Sequence, residues 1–203
     1  METSPVNPLT RTTRRKRVNP RVQLDRENWI ENAIEVLARE GLGGLRVEVL
    51  AKRCGVTKGS FYWHFKDRHD LLSAMLEHWR EGRIRDIEKV TTVKPGMERE
   101  QLHYAIEVYG ASRNRKGMAI ELAVRDWARH DPQAAAIVEA VDLYRLECTR
   151  KLFVAAGMSD AEAKSRSLLL YACVFGLSLM HYTHFDNNLD DLKERIAERI
   201  VSA

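Results

Sequence analysis

Residues 47–65 read VEVLAKRCGVTKGSFYWHF, which is the spacing of two short helices joined by a tight turn. Leu50 and Cys54 are apolar one helical turn apart, on the face that must pack against the second helix. Ala51 is small, which lets the two axes approach where they cross. Gly55 stands where the first helix must stop in a left-handed residue, a conformation that glycine adopts without a Cβ penalty. Val56 plugs the turn, and Thr57 is placed to cap the second helix with its hydroxyl. Phe61 and Phe65 anchor that helix, predicted over 58–65, and leave Lys58, Gly59, Ser60, Tyr62, Trp63 and His64 facing outward.

Such a face suits the major groove of DNA. The start of a helix carries partial positive charge and free N–H groups, Thr57 among its capping atoms, and therefore favours phosphate. Gly59 removes bulk where the two backbones would approach. Lys58 and Ser60 are the candidates for reading base edges, since lysine pairs with guanine O6 and N7. Tyr62, His64 and Lys66 are candidates for phosphate contacts, which set register without reading sequence.

Outward from this stretch the pattern stays helical. Upstream, Ile30, Ala33, Ile34, Leu37 and Ala38 mark one helix face, with Asp25 at its start and Gly41 at its end. Before that, residues 1–22 hold three prolines, few large apolar side chains and a cluster of six basic residues, and read as a flexible basic arm suited to tracking phosphates. Downstream, a long helix is expected from Asp67 to a break at Lys94-Pro95-Gly96, then helices near 97–115, 118–130, 132–156, 159–182 and 189–201. Asp131-Pro132 and the capping box at Ser159–Glu162 are start signals, and Gly157 is a stop signal. No strand alternation appears, so the expected fold is all-α with about nine helices.

Composition narrows the function. The 203 residues are 44% hydrophobic, ordinary for a folded chain. No apolar run approaches the about 18 residues of a membrane span. The basic start is not followed by an apolar leader segment, and three widely spaced cysteines form neither a disulfide framework nor a zinc pattern. A reducing cytoplasm is the expected compartment. The net charge of +4 is unevenly spread: residues 1–68 hold 14 Lys/Arg against 8 Asp/Glu, and the remainder 19 against 21. A basic first third points to a polyanion. No nucleophile elbow, phosphate-binding glycine loop or HExxH motif is present, so no enzyme and no cofactor are expected. His181 and His184, with Asp186 beyond, lack a third ligand at convincing spacing, and no metal is expected.

The stretch from Arg26 through Trp79 resembles the DNA-binding domain of TetR-family transcriptional regulators. The resemblance is carried by Ala33, Leu37, Gly41, Val47, Leu50-Ala51, Gly55-Val56, the run Thr57 to Tyr62, His64-Phe65-Lys66 and Leu71-Leu72. Two positions depart from it. Leu45 and Arg46 stand where members usually carry a capping Ser or Thr, so Arg46 can reach phosphate but cannot cap as a hydroxyl does. Trp63 is bulkier than usual and is open to two uses, thymine methyls or sugars on DNA, or packing on the next helix.

What the resemblance implies is a homodimer on a pseudo-palindromic operator in double-stranded DNA, most simply a repressor released by a small-molecule inducer. The expected division is the arm (1–22), a DNA-binding domain (23–83, its helix-turn-helix about 46–65), and a ligand-binding and dimerisation domain (84–203). The last two long helices would pair across the dimer axis. Trp79, Tyr104, Tyr109, Arg125, Trp127, Tyr144, Phe175 and His181 are the candidates for lining an inducer pocket. The alternative is a helical interaction module that keeps the fold but acts through a protein partner.

Overall fold

Caps and glycines set the helix boundaries. The computed structural model describes residues 24–92, 94–110 and 115–202, the side chains at 109, 110 and 115 excepted, so the basic arm lies outside the described residues. α1 spans Arg26–Glu40, with Asp25 Oδ1 accepting from the Asn28 N–H at 2.8 Å and Gly41 closing the helix at φ +65°. A 3-10 turn, Leu42–Gly44, follows. Gly44 is obligatory there, because a Cβ would come within 2.8 Å of Glu40 Cβ and 2.9 Å of Val36 Cγ1. The remaining helices are α2 (Val47–Arg53), α3 (Lys58–Tyr62), α4 (Arg68–Thr91), α5 (Glu98–Gly110), α6 (Arg115–Ala128), α7 (Pro132–Ala155), α8 (Asp160–Leu179) and α9 (Leu189–Val201). No strand occurs among the described residues.

The start signals read from the sequence operate as expected. Asp131 accepts from the Ala134 N–H at 2.9 Å with Pro132 as the first helical residue of α7. Ser159 Oγ accepts from the Glu162 N–H, although the Glu162 carboxylate turns to Arg166 rather than back to the cap. Two helix ends differ from expectation. α3 stops at Tyr62, because the Phe61 carbonyl takes both the His64 and the Phe65 N–H and so tightens the chain into a turn. α8 stops at Leu179, and residues 180–188 are non-helical before Asn188 caps α9.

Two buried clusters hold the chain. The first joins Trp29, Leu37, Leu50, Phe61, Phe65, Leu71 and Met75 of the helix-turn-helix region to Val124, Trp127, Val138 and Val141 of α6 and α7. The second unites α5, α7, α8 and α9 through Leu102, Phe153, Leu170, Val174, Ile200 and Val201. The first cluster therefore crosses the expected boundary at residue 83, and α4 runs through it without a break. α1 also packs directly on α6, where Lys116 Nζ meets Glu35 Oε1 at 2.6 Å. Each fully buried aromatic contributes about 2–3 kcal/mol by removal from water, so α3 is seated on the same core as α6 and α7.

Candidate nucleic-acid interface and cavity

The turn between α2 and α3 is closed by backbone bonds. The Gly55 N–H donates to the Lys52 carbonyl and the Val56 N–H to the Ala51 carbonyl, with Gly55 at φ +69°. This is a Schellman closure, and it satisfies carbonyls that a helix end otherwise leaves bare. Thr57 Oγ1 then accepts from the Ser60 N–H at 3.4 Å. α3 is pinned from beneath: Phe61 is fully buried, meets Trp29 edge-on with ring centroids 5.5 Å apart, and stacks on Phe65 at 5.2 Å.

With Phe61 facing in, the predicted outward residues face solvent. Arg46, Thr57, Lys58, Gly59, Tyr62, Trp63 and Lys66 are exposed, and Ser60 and His64 are half-buried. Trp63 is 87% exposed, so of its two uses packing on α4 is not the one found. A Cβ on Gly59 would meet only Thr57 Oγ1 at 3.6 Å, an ordinary contact. The fold does not demand glycine at 59, whereas close approach of another backbone would.

Two features of this face were not read from the sequence, the pairing of Lys58 and the clamp from Arg68. Lys58 Nζ is ion-paired with the Glu48 carboxylate of α2, which raises the Lys58 pKa and lowers that of Glu48 through the shared hydrogen bond. Arg46, at the N-cap of α2, makes no side-chain cap. The chain before α2 is held instead by Arg68 of α4, whose Nε donates to the Leu45 carbonyl at 2.7 Å and Nη2 to the Leu42 carbonyl at 3.1 Å. Nothing local to residues 42–46 signals a partner 23 residues away.

A cavity of about 570 Å³ lies between α4, α5, α6, α7 and α8, with Tyr182 and Lys193 also in its lining. Tyr104 and Phe175 are on its wall. Of the other sequence candidates whose side chains are described, none lines it. Trp79 and Trp127 are buried in the first core cluster, because that cluster extends from α1 into α6 and claims both rings. The Tyr144 hydroxyl donates to Glu88 at 2.8 Å on the α4–α7 seam, a bond that pushes its pKa up to about 12. His181 is exposed beyond the end of α8, and with His184 it falls on non-helical chain rather than on a shared helix face. The Tyr109 side chain lies outside the described residues.

Arg125 sits beside the cavity in a four-residue ion network missed by sequence reasoning. Glu121 Oε1 accepts from Arg125 Nη2 at 2.8 Å and from Arg145 Nη1 at 3.3 Å, while Asp142 accepts from both arginines. Glu121 and Arg145 are 3% and 4% exposed, and both line the cavity. The Arg125 guanidinium lies 4.2 Å from the Phe175 ring centroid. The carboxylates around it outweigh its own desolvation and raise the Arg125 pKa. The available signal was Glu121-Arg125 at i,i+4 and Asp142-Arg145 at i,i+3 on consecutive helices, which read as two surface pairs until the helices are packed together.

The arrangement is a helix-turn-helix module on one side and a cavity among the later helices on the other. The sequence profile of "Bacterial regulatory proteins, tetR family" matches residues 30–75. Over 201 residues the chain is 27% identical to the HTH-type transcriptional regulator AcrR of Shigella flexneri, covering 92% of this chain and 90% of that one. It is 44% identical over 55 residues to the class C tetracycline repressor protein of Escherichia coli, a match to 27% of this chain and 25% of that protein. The fold is shared with a transcriptional regulator from Rhodococcus sp. Rha1, at a TM-score of 0.70 and 20% identity over 88% of this chain and 94% of that one. Residues 30–75 thus match the DNA-binding domain of the TetR family, and the chain as a whole is similar to transcriptional regulators of that kind.

Proposed function

We propose that the protein is a homodimeric repressor whose hold on a pseudo-palindromic operator is broken when a small molecule fills the cavity. The observation that carries this reading is the path of α4. It starts at Asp67, whose carboxylate caps it two residues beyond Phe65, and its other end supplies Arg83, Asp86, Lys89 and Val90 to the cavity wall. α6 repeats the connection, with Glu121 at the cavity and Lys116 on α1. A ligand that favours a different setting of α4 and α6 changes the separation of two recognition helices that must meet major grooves about 34–36 Å apart.

In this reading Lys58 and Ser60 read bases and Trp63 contacts thymine methyls or sugars. Arg46, Tyr62, His64 and Lys66 hold phosphates, and the free backbone N–H groups beside Thr57 and Gly59 meet the DNA backbone closely. DNA binding falls to residues 23–83 and ligand binding and dimerisation to 84–203, two functional parts that share one buried cluster, and the arm at 1–22 adds phosphate contacts. Dimerisation uses the outer face of α8, where Leu168, Leu169 and Leu179 are each more than half exposed in the single chain. Apolar surface of this kind, in one stripe on one helix, is the surface that a second copy covers.

The test is selection of bound sites from a random DNA library, followed by electrophoretic shifts on the selected site. The expected result is a two-fold related site bound by a dimer and lost in a Leu168→Glu/Leu169→Glu double variant. A folded dimer with no sequence preference at moderate salt overturns the proposal in favour of a module that acts through a protein partner.

A further inference from the structure

The cavity wall carries four cationic side chains, Arg83, Lys89, Arg145 and Lys193, against two carboxylates, Asp86 and Glu121. Both carboxylates are already committed. Glu121 Oε1 gathers N–H groups from Arg125 and Arg145, and Asp86 accepts from Arg83 Nη2 at 2.7 Å. Arg83 and Arg145 are the partners in those pairs, whereas the two lysines are hardly engaged. Lys89 makes no ion pair among the described residues, and Lys193 reaches only Asp190, at 3.5 Å, whose own side chain is 96% exposed. The Nε of Arg83 and the Nε of Arg145 are both buried without a hydrogen-bond acceptor. One acceptor, Glu121 Oε2, is likewise unmet, but it belongs to a carboxylate whose charge two guanidiniums already balance.

The rest of the wall is largely apolar, with Val90, Val108, Met118, Val174, Phe175 and Leu177. A low-dielectric cleft with surplus positive charge concentrates anions, and a buried donor without an acceptor is stabilised by any group that supplies one. We propose that the cavity takes an amphipathic anion, an apolar body ending in a carboxylate or similar oxyanion, with Arg83 and Lys89 receiving the charge. The proposal rests on reading the cavity as the effector site. It adds a reason for the response: both receiving cations sit on α4, each just under one helical turn from Asp86 and on opposite sides of it along the chain, so the neutralised charge acts on the helix that begins at the recognition module.

The experiment compares three probes with the same ten-carbon body, decanoate, decan-1-ol and decylamine, titrated calorimetrically into the full chain below their aggregation limits. Decanoate is expected to bind at least tenfold more tightly than decan-1-ol, with decylamine weakest. An Arg83→Gln/Lys89→Gln variant is expected to lose that preference while holding decan-1-ol within about twofold. If this variant does not fold, Lys89→Gln alone, at an exposed position, must cut the preference at least threefold. Equal or weaker binding of decanoate, a preference for decylamine, a preference that survives the substitutions, or no binding of any probe overturns the proposal. The two readings separate in the same experiment. Preferred decanoate binding that leaves the operator complex intact keeps the anion site and removes ligand-driven release. Release by decylamine with no decanoate binding keeps ligand-driven release and removes the anion site.

Discussion

Replacing Glu121 by glutamine (Glu121→Gln) removes one charge from the middle of the α6–α7 network while keeping its shape. In the native protein Glu121 and Asp142 face Arg125 and Arg145, two charges against two. After the change Asp142 still holds Arg125 through both guanidinium edges, at 2.8 and 2.6 Å. Arg145, almost fully buried, keeps a single carboxylate contact at 3.2 Å. Removing one partner of a buried ion pair costs about 3–5 kcal/mol, because the other charge is left without compensation. The surviving Asp142 contact places this case at the lower end, about 3 kcal/mol. Urea unfolding at fixed protein concentration measures it, as a lower midpoint with an unchanged slope. Adding Arg145→Met in the same chain removes the orphaned charge, so the double variant should be more stable than the sum of the two single losses predicts, by more than about 1 kcal/mol. A loss below about 1 kcal/mol for Glu121→Gln, or strict additivity in the double variant, refutes the reasoning.

Other substitutions probe the recognition module and the caps. Phe61→Ala empties the space between Trp29 and Phe65 and is expected to cost about 3–5 kcal/mol in the same unfolding assay, taking DNA binding with it. Trp63→Ala should leave stability within about 0.5 kcal/mol, since its ring touches little of the protein, yet weaken the selected operator complex; unchanged affinity would remove Trp63 from the interface. Arg46→Ala and Lys66→Ala should each lower the slope of log affinity against log salt by about 1 and weaken all sequences alike. Asp131→Ala removes the α7 cap at a cost of about 1 kcal/mol near neutral pH. Its carboxyl is held below the ordinary range chiefly by the Ala134 N–H. That contribution is therefore complete above the unfolded carboxylate pKa of about 4 and lost as pH falls through the lower folded value. The gap between wild type and variant should close in acid.

Legibility in the sequence followed the range of the interactions. Asp25, Thr57, Asp131, Ser159, Gly41, Gly55 and Gly157 act within four residues of themselves, and each is found in the cap or stop its spacing indicates. The partition of α3 into Phe61 inside and Lys58, Tyr62 and Trp63 outside is equally local. The end of α3 was misjudged because one carbonyl, that of Phe61, serves two N–H groups, which no residue pattern announces. The cavity was legible only in part for a different reason. Aromatic residues look alike in sequence whether they line a space or fill one. Trp79 and Trp127 fill it because the recognition module shares its core with α6 and α7. Arg68 clamping the turn before α2, and Glu121 with Arg145 at the cavity, are pairings across helices that exist only once the bundle is assembled.

Trp63 gives the molecule an optical asymmetry. The chain has four tryptophans, and Trp29, Trp79 and Trp127 are buried. The red edge of the emission spectrum, and whatever iodide can quench, therefore belong to one indole ring, at the exposed end of α3. Covering that ring with a duplex should shield it from iodide, and uncovering it should restore the quenching. Occupancy of the DNA face can be followed in the unlabelled protein, through the same side chain that makes that face unusual.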